Sequence, residues 1–176
     1  MAISEKMGMS MKQLTAGLYQ VTRGANIFLL ETAPDELTLV DTGIPGAKTL
    51  VLSAIQQLGK SPENLKHILV THADIDHVGS LAGLAVATGA TVVASEESKA
   101  YIEAAKSPPH VPAPLSWIGG TIQRLVQKPI AVNKTVKNGE LLPITTGGIE
   151  ALSLPGHTPD NYGYFWRERK ILFAAD

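Results

Sequence analysis

The sequence predicts a layered α/β protein folded as one domain. Three observations carry that expectation: short apolar runs crowd the first third of the chain, the hydrophobic period turns helical from residue 47, and strand-like runs return after residue 131. A length of 176 residues suits one domain. With 44% hydrophobic and 18% charged residues, the chain has the apolar content to bury a core.

Residues 1–14 hold all four methionines and read as a flexible tail, with the domain running over 15–176. Gly17–Val21, Ala25–Glu31 and Leu37–Val40 are close apolar runs. Pro34-Asp35-Glu36 supplies turn chemistry between the last two, so an antiparallel meander is expected. From Ala47 to Leu58, the residues Leu50, Val51, Ala54, Ile55 and Leu58 follow helical spacing, with Pro45 ahead and Gly59 behind. His67–Val70 and Thr91–Ala94 read as strands, and Ser80–Thr88 as a small helix stopped by Gly89. Ser95 is a candidate N-cap for a helix to about Lys106, with Glu96 and Glu97 in its first turn.

Residues 107–128 combine prolines and glycines with Trp117, Ile118 and Leu125. They read either as a crossover packed on the core or as a lid that offers Trp117 to a substrate. Strands are then expected at Ala131–Val136, Leu141–Ile144, Ile149–Leu154, Tyr162–Trp166 and Ile171–Ala174. Asn138-Gly139 and Gly147-Gly148 mark turns, and Arg167–Lys170 is a solvated hairpin tip.

Composition narrows the function. Fifteen Lys and Arg against sixteen Asp and Glu leave a net charge of −1, which argues against a nucleic-acid partner. No run approaches the ~18 apolar residues of a membrane span, and no apolar core of signal-peptide type opens the chain, so a cytoplasmic protein is expected. The absence of cysteine excludes disulfides, a thiol nucleophile and thiolate metal ligation within the chain. A metal site would have to be built from Asp, Glu and the five histidines.

Such a site is suggested by Thr71-His72-Ala73-Asp74-Ile75-Asp76-His77-Val78-Gly79. Four ligand-type side chains fall within six residues, after a strand and before a helix. In extended backbone, residues two apart point the same way, so His72 and Asp74 can face one metal. The chain then turns, and Asp76 and His77 point toward a second metal nearby. His157, in Leu154-Pro155-Gly156-His157-Thr158, and Asp176, after Ile171–Ala175, each follow a strand, as does Asp41 in Asp41-Thr42-Gly43. His67 reads as structural, and His110 as an exposed loop residue. Asn161 and Tyr162 read as pocket walls, although Asp160-Asn161 equally suits a plain turn.

These motifs, in this order, resemble the metallo-β-lactamase superfamily from about residue 15 to the last residue. The resemblance implies a four-layer αβ/βα sandwich with a dinuclear centre, zinc first, at one edge of its two sheets. It implies that His72, Asp74 and His157 hold one metal, that Asp76 and His77 hold the second, and that Asp176 bridges both. Asp41 would orient a ligating histidine through a hydrogen bond. The chain departs from the usual H-x-H-x-D-H pattern by placing Asp74 at the second His. A harder oxygen ligand there widens the metal choice to iron or manganese. Family members also continue past the bridging Asp to further strands and a final His ligand, so a truncated second half is expected, with an open edge that a second copy could cover.

The implied activity is hydrolysis by a metal-bound hydroxide of a small ester, thioester, lactone or related substrate, with Asp76 orienting the hydroxide and managing its proton. Trp117 and Tyr162 are candidate substrate contacts. The alternative is a non-catalytic metal-binding or oligomerising module, and β-lactam or small-phosphodiester hydrolysis are lesser readings.

Overall fold

The computed structural model describes residues 11–108 and 127–176. The larger of two sheets takes its strands in chain order: β1 (Met11–Thr15), β2 (Leu18–Arg23), β3 (Ala25–Ala33), β4 (Glu36–Val40), β5 (Leu65–Leu69), β6 (Thr91–Ser95) and β7 (Lys134–Val136). The first four form the expected antiparallel meander, and β4 through β7 run parallel. Parallel neighbours need long crossovers. Helix α1 (Lys48–Gln57) joins β4 to β5, and helices α2 (Ile75–Val78) and α3 (Leu81–Thr88) join β5 to β6. Helix α4 (Glu96–Ala104) follows β6, and the Ser95 side chain accepts the Ser98 amide as its N-cap. Strands β8 (Leu141–Leu142), β9 (Ile149–Ser153), β10 (Tyr162–Trp166) and β11 (Ile171–Phe173) make the smaller antiparallel sheet, in the order β11-β10-β9-β8.

Side-chain alternation on the larger sheet explains the layering. Ile27, Leu29, Leu37, Leu39, Ile68 and Val92 pack on one face with Val51 and Ile55 of α1, Leu84 of α3 and Ile102 of α4. Leu30, Val40, Leu69 and Val93 point the other way, onto Ile149, Ala151, Tyr164, Trp166 and Phe173 of the smaller sheet. Helices, large sheet and small sheet are therefore stacked as three layers, α/β/β, of the expected four-layer sandwich, and the described residues supply no second helical layer. Among the described residues, no helix contributes to the apolar cluster between the sheets.

Two polar ties lock the smaller sheet to the end of β5. The buried Tyr164 hydroxyl donates to the Val70 carbonyl at 2.9 Å, and the Tyr162 amide donates to Thr71 O at 2.9 Å. Burial pushes the Tyr164 phenol up, which keeps it a neutral donor. A second close approach is at Gly79, where a Cβ would collide with the Ile75 carbonyl and with Pro45. The end of α2 can therefore press on the loop before α1 only without a side chain at residue 79.

Several boundaries differ from the sequence reading. Met11–Thr15 is an edge strand, although 1–14 was read as tail. Its side chains are mostly exposed, and backbone pairing with β2 holds it without any apolar alternation. The strand expected over Leu141–Ile144 stops at Leu142, because Pro143 has no N–H for the ladder. The strand expected from Ala131 begins at Lys134, and before it the Asn133 side chain accepts the Val92 amide that a ladder carbonyl would take. Helix α4 ends at Ala104, followed by Ala105 in a left-handed conformation. The insert at 107–128, with Trp117, lies almost wholly outside the described residues, as does His110. No helix among the described residues is long and apolar enough to cross a membrane.

Tyr164→Phe leaves the Val70 carbonyl buried without its donor. The expected loss is about 1–3 kcal/mol, read as a lower urea midpoint at unchanged slope.

Candidate metal centre

The candidate ligands collect past the C-terminal ends of strands. Asp41 follows β4, and His72 and Asp74 follow β5, its parallel neighbour, so these residues emerge at one edge. Asp76 and His77 ride on α2, His157 lies in the loop after β9, and Asp176 follows β11. The ties from Tyr162 and Tyr164 bring the second group of loops against the first.

Two overlapping groups result, in each of which the ligand atoms lie within 4.8 Å of one another. One is His72, Asp74 and His157, and the other is His72, His77 and Asp176. In the first, Asp74 Oδ2 is 3.1 Å from His157 Nε2 and 3.5 Å from His72 Nε2. In the second, His77 Nε2 is 3.6 Å from Asp176 Oδ1, and Asp76 Oδ2 lies 3.7 Å from the same nitrogen. The His72 and His77 rings are 4.0 Å apart between centroids. His72, Asp74 and His77 are buried, whereas Asp76, His157 and Asp176 are partly open to solvent and form the accessible side.

Hydrogen bonding fixes which nitrogen each buried histidine turns inward. Asp41 is buried, with a positive φ of 60°. Its Oδ1 accepts the Thr71 amide at 2.9 Å, and its Oδ2 accepts the Thr71 hydroxyl at 2.7 Å. The same Oδ2 is 2.8 Å from His77 Nδ1, which must donate because a carboxylate only accepts. The Thr71 hydroxyl has spent its proton on Asp41, so at 3.1 Å it accepts from His72 Nδ1–H. Both Nε2 atoms therefore face the cluster. Thr42 clamps the other side of α2, donating to the His77 carbonyl through its amide at 2.8 Å and its hydroxyl at 2.7 Å.

This arrangement fits divalent cations. His72 Nε2 and His77 Nε2 are buried nitrogens with no hydrogen-bond partner among the described residues. Buried polar atoms normally have one. Ligand atoms ~2.1 Å from a shared ion sit roughly 3.0–3.5 Å apart, close to the separations found here. Burial by itself would lower the His77 imidazole. The hydrogen bond and charge of Asp41, with the charges of Asp76 and Asp176, outweigh that and hold it up at about 9.

Two residues at the centre were missed by sequence reasoning. The Ser107 hydroxyl donates to Asp74 Oδ1 at 3.2 Å, which leaves Oδ2 toward the histidines. Asp160, read only as a turn residue, is fully buried and accepts the Ala73 amide at 3.0 Å. No motif signalled either, since serine and aspartate in loops are commonplace. Tyr162, expected against substrate, packs its ring in the core between the sheets and contributes its backbone amide instead. Asn161 is also buried, and its side chain donates to the carbonyls of Leu154 and Asp176. His67 is half-buried on β5, where burial lowers its imidazole.

Fold and candidate centre together point to one class of protein, and sequence comparison identifies it. The family model of the metallo-beta-lactamase superfamily matches residues 21–176, and the chain belongs to that superfamily. The uncharacterized protein YobT of Bacillus subtilis is 34% identical over 152 residues, covering 86% of this chain and 60% of its own length. The hydroxyacylglutathione hydrolase GloC of Haemophilus influenzae is 29% identical over 131 residues, covering 69% of this chain and 54% of its own. Among solved structures, BJP-1, a subclass B3 metallo-beta-lactamase of Bradyrhizobium japonicum, superposes with a TM-score of 0.74 at 28% identity, over 88% of this chain and 55% of that one. The chain thus spans roughly half to three-fifths of the length of these relatives.

Asp41→Asn presents a donor where His77 and Thr71 also donate. Metal affinity is expected to fall roughly 10–100-fold, measured by competition with a chromophoric chelator. In chelator-treated protein, His77 titrates at about 9 folded and near 6.5 unfolded. The folded state then holds the extra proton more tightly, so this stabilisation is complete below pH 6.5 and lost as pH rises through about 9. Urea midpoints should fall across that interval by up to ~3 kcal/mol in stability, and His77→Gln should flatten the dependence.

Proposed function

We propose that the chain is a metal-dependent hydrolase of small acyl substrates: esters, thioesters or lactones. The observation that carries this reading is the pair of buried Nε2 atoms of His72 and His77, which have no hydrogen-bond partner among the described residues and are ringed by Asp74, Asp76, Asp176 and His157. In this reading His72, Asp74 and His157 would hold one cation, and His77 with Asp76 and Asp176 would hold a second. Zinc is the first candidate. The carboxylate of Asp74 also suits iron or manganese. When bound, such cations supply a Lewis acid and lower the pKa of water enough for attack near neutral pH.

The protein's own groups have separable tasks. Asp41 and Thr71 hold both imidazoles with Nε2 inward, so neither ring has to turn when a cation arrives. Asp76 stands beside His77 on the open side, where it can accept the proton of an attacking water. No serine or cysteine nucleophile is required. One relative is named a hydroxyacylglutathione hydrolase, which places acyl-thiol conjugates first among the substrates to test.

The test is a panel of a thioester, an ester, a lactone, a β-lactam and a phosphodiester, run with metal content determined on the same sample. Turnover of an acyl substrate should vanish with chelator and return with added cation. His72→Ala and His157→Ala should each lose metal and at least about 100-fold in kcat/KM. Hydrolysis that survives either substitution would overturn the reading. Metal uptake without turnover on any substrate would leave the non-catalytic metal-binding module.

A further inference from the structure

Asp160 lies three residues past His157 and is 0% exposed. Both of its side-chain hydrogen bonds land on one oxygen. Oδ2 accepts the Ala73 amide at 3.0 Å and the Ser98 hydroxyl at 2.7 Å. Ala73 separates His72 from Asp74. Ser98 stands in the first turn of α4, where its amide and its hydroxyl oxygen are both paired with the N-cap Ser95. A single buried oxygen thus joins the loop that carries His72 and Asp74, the loop that carries His157, and the start of α4.

Burying a carboxylate is costly, the more so here because Oδ1 has no hydrogen-bond partner among the described residues, so a residue serving only as a turn would gain nothing by being taken wholly out of water. What this burial achieves is a fixed separation. The Ala73 amide is held midway between two candidate ligands, and the third is fastened three residues from the same carboxylate. His157 Nε2 consequently lies 3.1 Å from Asp74 Oδ2, although the two residues are 83 apart in the chain.

We infer that Asp160 is a positioning residue that sets the distance of His157 from the His72–Asp74 pair, and thereby the affinity of that group for a divalent cation. The cation half of this statement rests on the metal-centre reading above. The distance half does not.

Three variants test it. In Asp160→Asn the amide oxygen can accept both bonds. Asp160→Leu keeps the branching at Cγ, is larger, and accepts neither. Ser98→Ala removes one donor. In chelator-treated protein, exchange of the Ala73 amide should be slow in wild type and Asp160→Asn, and roughly fivefold or more faster in Asp160→Leu. The His157 ring ¹⁵N resonances should shift in Asp160→Leu and not in Asp160→Asn. Affinity for Co²⁺, measured against a chelator, should fall roughly 10–100-fold in Asp160→Leu, stay near wild type in Asp160→Asn, and lie between in Ser98→Ala. The inference is overturned if Asp160→Asn is as impaired as Asp160→Leu, or if Asp160→Leu leaves exchange, resonances and affinity unchanged. Should Asp160→Leu fail to fold, Ser98→Ala decides: weaker Co²⁺ binding and faster Ala73 exchange support the role, and unchanged values remove it. A wild-type chain that takes up no cation would end the proposed function, while Ala73 exchange and the His157 resonances still decide the positioning role.

Discussion

The carboxylate of Asp41 is the contact on which the rest of the centre depends. It is buried at the end of β4 and accepts from the Thr71 amide, the Thr71 hydroxyl and His77 Nδ1. Through Thr71 it also governs His72, whose Nδ1 has the threonine oxygen as its acceptor. One side chain thereby fixes the orientation of two imidazoles that belong to a different strand–loop–helix unit. Its left-handed backbone, uncommon outside glycine, turns the chain sharply enough after β4 to face the loop after β5.

The two sheets make this network useful. Alternation along β3, β4, β5 and β6 gives the larger sheet two apolar faces, one for helices and one for the smaller sheet. Burial of both faces settles the stacking but leaves some freedom of sliding along the strands. The hydrogen bonds from Tyr164 to Val70 and from Tyr162 to Thr71 remove it, because each pairs a buried acceptor with one donor. They act beside His72, so the loops of the smaller sheet arrive in register with the ligands of the larger one.

Electrostatics at the centre favour a cation. Asp41, Asp74, Asp76 and Asp176 surround three imidazoles, and the proton drawn onto His77 reflects that excess of negative charge. With Nδ1–H committed to Asp41, that proton occupies Nε2, the atom that a cation would bind. Proton and metal therefore compete for one lone pair.

Much of this was legible in the residues themselves. Turn chemistry and strand-end placement of His72, Asp74, Asp76, His77, His157, Asp176 and Asp41 are local features, so the meander, the helices and the candidate ligands followed from spacing and order. Elements without such a signal were misjudged: β1 has no apolar alternation, and the runs near Pro143 and Asn133 are shortened by single residues. What only the tertiary structure decided is how the candidate ligands are held. Thr71 reaches back 30 positions to Asp41, Ser107 reaches 33 to Asp74, and Asp160 reaches 87 to Ala73. These are hydrogen bonds between ordinary polar residues whose meaning depends on burial and direction, and neither property exists until the two sheets have closed on each other.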